Sequence, residues 1–349
     1  MSKLQSAPVA YTFDDFVLVP VHSEIKSRKD PKINVSLPDF DFNIPIVSAP
    51  MNTVTEFDML LTMCELGGTG VLHRYMSIEE QAAICYKVKE TQPNAKFYAA
   101  VGANGDAKDR LASLRKAGVH GICIDVANGH NELCLKTVRY IKATWPDCVI
   151  MAGNICSYEG AIDLVAAGAT VLRCGIGGGS MCTTRLVTGH GVPQLSAIED
   201  CARIKTERPN IAIIADGGIR HSGDIVKALA IGADAVMIGS LLAATEESPG
   251  EIIEEGGQLY KYFHGMASIE GRKKWFDKSK AGLPVEGVST KIPYTGRSAK
   301  MVIDGLCQSI KVGLSYAGAN NVSELRTNAE WRRVTMAGYT EGTPHGKRN

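Results

Sequence analysis

Along the chain, short uninterrupted apolar runs alternate with longer stretches in which apolar residues recur every three or four positions. The runs read IPIVSAPMN (44–52), GTGVLHR (68–74), FYAAVG (97–102), GICIDVAN (121–128), CVIMAGNI (148–155), TVLRCGIG (170–177), IAIIADGG (211–218) and AVMIGS (235–240). Hydrophobicity that is continuous rather than alternating is what parallel strands covered on both faces require. The stretches between them, such as SIEEQAAICYKVKE, DRLASLRKAG, NELCLKTVRYIKATW, YEGAIDLVAAGA and SGDIVKALAIGA, carry helical spacing. Several stop on Ala-Gly or Ile-Gly, a common helix ending.

Eight strands with seven intervening helical stretches predict an α/β fold, a closed (β/α)8 TIM barrel rather than an open doubly wound sheet. The strand ends are rich in Gly, Asn, Asp, Ser and Cys, and barrels of this kind carry their active sites at that end. Two connections exceed the usual loop length. Residues 178–196 follow strand six as a candidate catalytic loop, and residues 265–297 follow strand eight as a polar, basic, glycine-punctuated lid. With residues 1–43 as an N-terminal extension, residues 1–349 are expected to form a single barrel domain with no inserted regulatory domain.

Composition narrows the class of partner. A formal charge of +1 gives no global field to recruit nucleic acid or a membrane surface, which leaves a small-molecule site built locally. Nowhere do 18 consecutive apolar residues occur, and the start MSKLQSAPVAYTFDD lacks a signal-like apolar run, so a cytoplasmic protein is expected. The ten cysteines form no C-x-x-C pair and several lie in apolar runs, which argues for a reducing compartment and against zinc.

Cys182, in GIGGGSMCTTR just past strand six, is the candidate nucleophile. Open backbone amides and Arg185 would favour its thiolate; a structural cysteine is the alternative. The same glycines could hold a monovalent cation through carbonyls or a phosphate through amides. Asp216-Gly217-Gly218 after strand seven and Gly239-Ser240 after strand eight lie where such barrels commonly bind phosphate. Asp125 could bind a ribose or a cofactor amide, or stand idle while Asn128 or Asn131 caps the next helix. Glu286 is an isolated acid in the lid, and Lys273, Lys274 and Lys280 read as a solvated face. No G-x-G-x-x-G follows a strand, so a nicotinamide cofactor would have to bind without a Rossmann unit.

The motifs YTFDDFVLVP, SAPMNTVTE, IDVANGH, AGNI, GIGGGSMCTTR, GVPQLSA, IADGGIR, MIGSLLA, EESPGE and GMAS resemble the IMP dehydrogenase/GMP reductase family nearly end to end. The resemblance implies a cysteine that bonds to carbon 2 of a purine nucleotide, with hydride moving between that carbon and nicotinamide. Reductase-like features are IDVANG, the direct passage from GVLHRYMSIEEQ to the next strand, and a short lid without the Arg-Tyr pair that activates water in dehydrogenases; the nearest dipeptide is Lys274-Trp275. Dehydrogenase-like features are CTTRLVTGHGVPQ and the ending ELRTNAEWRRVTMAGYTEGTPH. Leu283 and Val285 stand where reductases carry Arg and Ser, Asn52 where both branches carry Asp, and Ala267 where they carry Ser or Gly.

By this resemblance the expected activity is NADPH-dependent deamination of GMP to IMP and ammonia. The alternative is oxidation of IMP with NAD, and a third reading is a nucleotide sensor without turnover. Cys182, Thr184 and Glu286 would be catalytic. Asp216, Gly217, Gly218, Gly239 and Ser240 would hold ribose and phosphate, and Gly265, Met266, Ala267 and Gly287 would line the purine. Arg74, Asp125, Val126 and Ala127, with Ser27 and Arg28 from a neighbouring subunit, would bind the dinucleotide. Carbonyls of Gly177, Gly179 and Cys182 would coordinate potassium, and the family implies a homotetramer.

Overall fold

The computed structural model of the chain describes residues 4–38, 40–273 and 284–344. Lys274, Trp275, Lys280 and Leu283 lie outside the described residues. Each of the eight apolar runs supplies one parallel strand: β1 (Ile46–Ser48), β2 (Thr69–Leu72), β3 (Tyr98–Val101), β4 (Gly121–Asp125), β5 (Val149–Ile155), β6 (Val171–Cys174), β7 (Ala212–Asp216) and β8 (Ala235–Ile238). They form a closed barrel in sequence order, sealed where β8 pairs with β1, with Val236 opposite Ile46 and Ile238 opposite Ser48. All residues of β2, β3, β6 and β8 are buried, as the unbroken apolar pattern requires. The expected (β/α)8 barrel is the observed fold.

Helices α1 (Phe57–Glu65), α2 (Ile78–Thr91), α3 (Ala107–Lys116), α4 (Glu132–Thr144), α5 (Tyr158–Ala167), α6 (Gln194–Ala202), α7 (Ser222–Ile231) and α8 (Ala299–Tyr316) follow the strands in turn. Local chemistry sets their ends. Ser77 and Glu80 form a capping box at the start of α2, and the Asn131 side chain accepts the Cys134 N–H at the start of α4. The AG ending of α5 is a left-handed Gly168 at φ 117°, a conformation costly for other residues. None of the described helices is long and apolar enough to cross a membrane.

The antiparallel pieces outside the barrel were not legible in the sequence pattern. Phe16–Val19 pairs with Glu330–Arg333, and Val35–Leu37 pairs with Phe40–Phe42. After β8, Ile252–Glu255, Gln258–His264 and Ser289–Pro293 make a three-stranded sheet, so the lid rises from a stem. Gln258–His264 buries residues on one face only, with Lys261 and Phe263 inward, and its two partner strands bury none, so the sheet lacks the apolar run that marks a barrel strand. Lys261 anchors the stem. Its ammonium donates to the carbonyls of Thr245 and Ser248, each at 2.8 Å, on the turn that follows β8.

Candidate active site

A cavity of about 610 Å³ opens over the C-terminal strand ends. Its walls include the ends of β4, β7 and β8, the loop around Gly177–Cys182, and the lid at Gly265–Ala267 and Glu286. Long loops from several strands thus converge on one mouth, where barrels perform chemistry.

Three side chains are strung across that mouth. The Cys182 thiol donates to Thr184 Oγ1 at 3.0 Å, and the Thr184 hydroxyl donates to Glu286 Oε2 at 2.9 Å. Backbone bonds bring the partners together across 102 residues of sequence. Thr183 N–H donates to the Glu286 carbonyl at 3.1 Å, Val288 N–H to the Met181 carbonyl at 3.0 Å, and Cys182 bridges antiparallel to Gly287. On its other side, Glu286 N–H donates to the Ala267 carbonyl at 3.3 Å. The lid strand is therefore clamped between the catalytic loop and the GMAS turn. Such a line can carry a proton between sulfur and carboxylate through one hydroxyl.

The other thiols are of a different kind. All ten cysteines are free, and burial pushes the thiols of Cys85 and Cys123 up to about 12 and those of Cys64, Cys134 and Cys307 up to about 11. They stay protonated at neutral pH and behave as small hydrophobes. Cys182 is half-buried and faces the cavity.

Two glycine loops form the floor. Gly217, at φ 93°, lies so near the catalytic loop that a Cβ there would sit 3.1 Å from Gly179 N. Gly218, Gly239 and Ser240 complete this wall. The glycines after β7 and β8 expose backbone amides to the cavity beside the side chains of Asp216 and Ser240, an arrangement suited to a phosphate.

Beside the floor lies a network of charge that sequence reasoning missed in part. Asp125 and Asp216 both line the cavity, and both are held from below by Arg173 of β6. One guanidinium nitrogen donates to Asp125 Oδ1 at 2.8 Å and the other to Asp216 Oδ2 at 2.7 Å. Burial works against the charge on Arg173, yet the carboxylates of Asp216 and Asp125 outweigh it and push its pKa well above the usual arginine value. The Asn154 amide also donates to Asp216 Oδ2, at 2.8 Å. Gln194 is buried and braces the ends of β6 and β7 through the carbonyls of Cys174 and Asp216. An arginine inside an apolar strand run was the available signal for Arg173. Asp125 takes no part in capping α4, which falls to Asn131.

Of the other expected positions, Arg74, Val126, Ala127, Met266 and Ala267 line the cavity. Gly177, Gly179 and Cys182 share one loop there, and Gly179 O accepts the Cys182 N–H at 3.1 Å. Gly287 acts instead as the backbone bridge to Cys182. Ser27 and Arg28 do not line this chain's own cavity; Arg28 stacks 5.3 Å from the Tyr316 ring. Arg185 also departs from expectation. It packs against Gly177 and Gly191 and donates to the Val192 carbonyl at 2.5 Å, away from the cavity lining. Asn52 Oδ1 meets His264 Nε2 at 2.9 Å, joining the β1 loop to the lid stem.

Fold and site together define a class: a (β/α)8 barrel with a thiol, hydroxyl and carboxylate aligned at its mouth over a floor of glycines and acids. The model of the IMP dehydrogenase / GMP reductase domain matches residues 10–345, and the chain belongs to that family. It is 32% identical to inosine-5'-monophosphate dehydrogenase from Nitrosopumilus maritimus, over 96% of this chain and 98% of that one. It is 36% identical to the corresponding dehydrogenase from Borreliella burgdorferi, over 96% of each. The first alignment spans 466 positions against 349 residues here, so that relative carries additional residues opposite gaps. Among solved structures, a cysteine-to-alanine variant of GMP reductase from Trypanosoma brucei in complex with guanosine 5'-monophosphate superposes with a TM-score of 0.94. It shares 28% identity, and the match covers all of both chains. The chain is an oxidoreductase of a family that uses a nicotinamide cofactor.

Proposed function

We propose that the protein reduces GMP to IMP and ammonia with NADPH, through a bond between Cys182 sulfur and purine carbon 2. The observation that carries this reading is the unbroken line from Cys182 through Thr184 to Glu286. Passing its proton along that line frees the sulfur to attack, and the carbon–nitrogen bond at carbon 2 then breaks. The expelled amino group needs a proton to leave as ammonia, and Glu286 with Thr184 can return one. A bound nicotinamide would supply the hydride that replaces sulfur at carbon 2, and Cys182 would be released as its thiolate. Asp216 would hold the ribose hydroxyls, and Gly217, Gly218, Gly239 and Ser240 the phosphate. Gly265, Met266 and Ala267 would border the base.

The residues suit a nicotinamide carboxamide. Arg74 Nε is buried with no hydrogen-bond partner and lies 3.8 Å from Asp125 Oδ2, which puts a donor and an acceptor side by side at the cavity. Carbonyl oxygens of Gly177, Gly179 and Cys182 suit potassium better than a divalent ion, since the loop offers no carboxylate. Ser27 and Arg28 would serve the site of a neighbour in a homotetramer. The single-barrel organisation without an inserted domain belongs to the same proposal.

A second reading, IMP oxidation with NAD, draws on the names of the dehydrogenase relatives and on Arg272, which lines the cavity from the lid. Paired absorbance assays at the nicotinamide band separate the two. Loss of NADPH with GMP, together with ammonia and IMP, is the expected result, and Cys182→Ala should abolish it while still binding GMP. NADH formed from IMP and NAD, with XMP as product, would replace the first reading with the second.

A further inference from the structure

Beneath the cavity floor, one guanidinium serves two carboxylates that face different parts of the site. Arg173 is 5% exposed, projects from the middle of β6, and spans from Asp125 at the end of β4 to Asp216 at the end of β7. It does not itself line the cavity, whereas both acids do. Under the function proposed above, Asp216 belongs to the nucleotide and Asp125 to the dinucleotide.

We propose that Arg173 is a positioning residue that couples the two half-sites, fixing both carboxylates in charge and direction through its single planar fork. The fork geometry is rigid, so its two arms cannot adjust independently. A ligand that draws Asp216 toward the ribose shifts the guanidinium, and with it the bond to Asp125 Oδ1. Coupling of two sites through one shared group is reciprocal by linkage. The assignment rests on the reading of the half-sites given above.

The charges around the fork make the idea testable by pH. Asp125 and Asp216 face Arg173, with the Cys123 thiol 3.5 Å from its nitrogen and the Asn154 amide on Asp216. Arg74 stands 3.8 Å from Asp125, and Tyr75 and Arg272 are the further titratable or charged groups on that side of the cavity. Without Arg173, two partly buried carboxylates would be left with one loosely placed cation, and taking up a proton would become easier than in wild type. A protonated carboxyl is a poorer acceptor for ribose hydroxyls or a carboxamide.

The test titrates GMP, IMP and NADP into wild type, Arg173→Met and Arg173→Lys between about pH 6.5 and 8.5, each alone and GMP also with saturating NADP. Ratios to wild type at each pH remove the titration of the ligands' own phosphates. Arg173→Met should weaken GMP and NADP about tenfold or more at pH 7, more at the acid end and less at the alkaline end. Arg173→Lys should keep the pH profile of wild type, because the cation remains. It should nevertheless lose most of the wild-type coupling between GMP and NADP, expected at about fivefold or more, because an ammonium lacks the fork.

Uniform weakening of Arg173→Met at every pH, or wild type without coupling, would overturn the proposal. Failure of wild type to bind either GMP or IMP would instead overturn the reading of the site itself. Should Arg173→Met fail to fold, the double substitution with Asp125→Asn decides. Removing the second carboxylate should restore folding, and a double variant that stays unfolded would refute the charge-balance argument.

Discussion

Replacing Thr184 by valine removes one oxygen and leaves the shape of the side chain almost unchanged, which isolates the proton line from the rest of the site. The hydroxyl accepts from Cys182 at 3.0 Å and donates to Glu286 at 2.9 Å, so without it the carboxylate has no hydrogen-bonded path to the sulfur. Positioned proton transfer is worth about 10² to 10⁴ in rate. Because Thr184 is half-buried and water can partly substitute, the lower half of that range applies, about 10²- to 10³-fold in kcat, or roughly 3–4 kcal/mol of barrier. The loss of the two hydrogen bonds costs about 1–2 kcal/mol of stability at most, a shift in Tm of only a few degrees in a chain this large. Steady-state rates of NADPH consumption and ammonia release with GMP, alongside calorimetric binding of GMP, separate these effects. The expected result is a kcat lowered about 100-fold or more with GMP binding unchanged within about threefold. A kcat within threefold of wild type would show that protons reach the sulfur and the leaving group by another route.

Other expectations follow from the scaffold of the site. Gly217→Ala adds a Cβ 3.1 Å from Gly179 N at φ 93°, so GMP affinity should fall at least about tenfold while circular dichroism keeps the barrel signature; unchanged affinity would mean that the two glycine loops do not shape the ligand site. Lys261→Met removes a buried ammonium from the carbonyls of Thr245 and Ser248, and should cost about 3 kcal/mol, read as a lower midpoint in urea. The hydrogen bond from Arg220 holds the Asp14 carboxyl below its ordinary value, against the opposing effect of burial. A depressed acid contributes its stability above the unfolded value of about 3.9 and loses it as pH falls through the lower folded value. The N-terminal segment should therefore resist pepsin near pH 5 and detach only well below pH 4. Release already at pH 5–6, or no change in that protection in Asp14→Asn, would contradict the link.

The barrel was legible because burial on both faces leaves little choice of residue. Each run from Ile46–Ser48 to Ala235–Ile238 had to be apolar, and each became a strand. Cys182 and the glycines after β7 and β8 were legible because they lie at strand ends, where that pattern breaks. Arg185 misled, since nearness in sequence to Cys182 says nothing about where a long side chain turns, and it turned to Val192. Arg173 and Asn154 were hidden inside apolar runs, and their partners lie 43 to 62 residues away. The lid stem was hidden for a different reason: a two-sided antiparallel strand such as Gln258–His264 mixes polar and apolar residues, and its partner Ser289–Pro293 lies beyond a long insertion.

The two networks at the mouth are held by different parts of the molecule, and that separation bears on which reaction the site performs. The acids, Arg173 and the cavity-lining glycines are carried by β4 to β8, and Arg173 holds both acids from within the barrel, so the floor of the cavity is fixed by the fold. The proton line is completed only where the lid strand meets the catalytic loop, through Thr183 with Glu286 and Cys182 with Gly287. A nucleotide can therefore be held without the relay, but the relay requires the lid. Deamination and oxidation share the floor, the cysteine and the hydride; they differ in what is expelled or added at carbon 2, and that step depends on protons. On the proposed function, the residues that choose between them belong to the lid side, with Arg272 and Glu286, and not to the floor. Floor substitutions such as Gly217→Ala should depress either reaction alike, whereas exchanging the lid between the stem strands at Gly265 and Ser289 should change the ratio of GMP reduction to IMP oxidation.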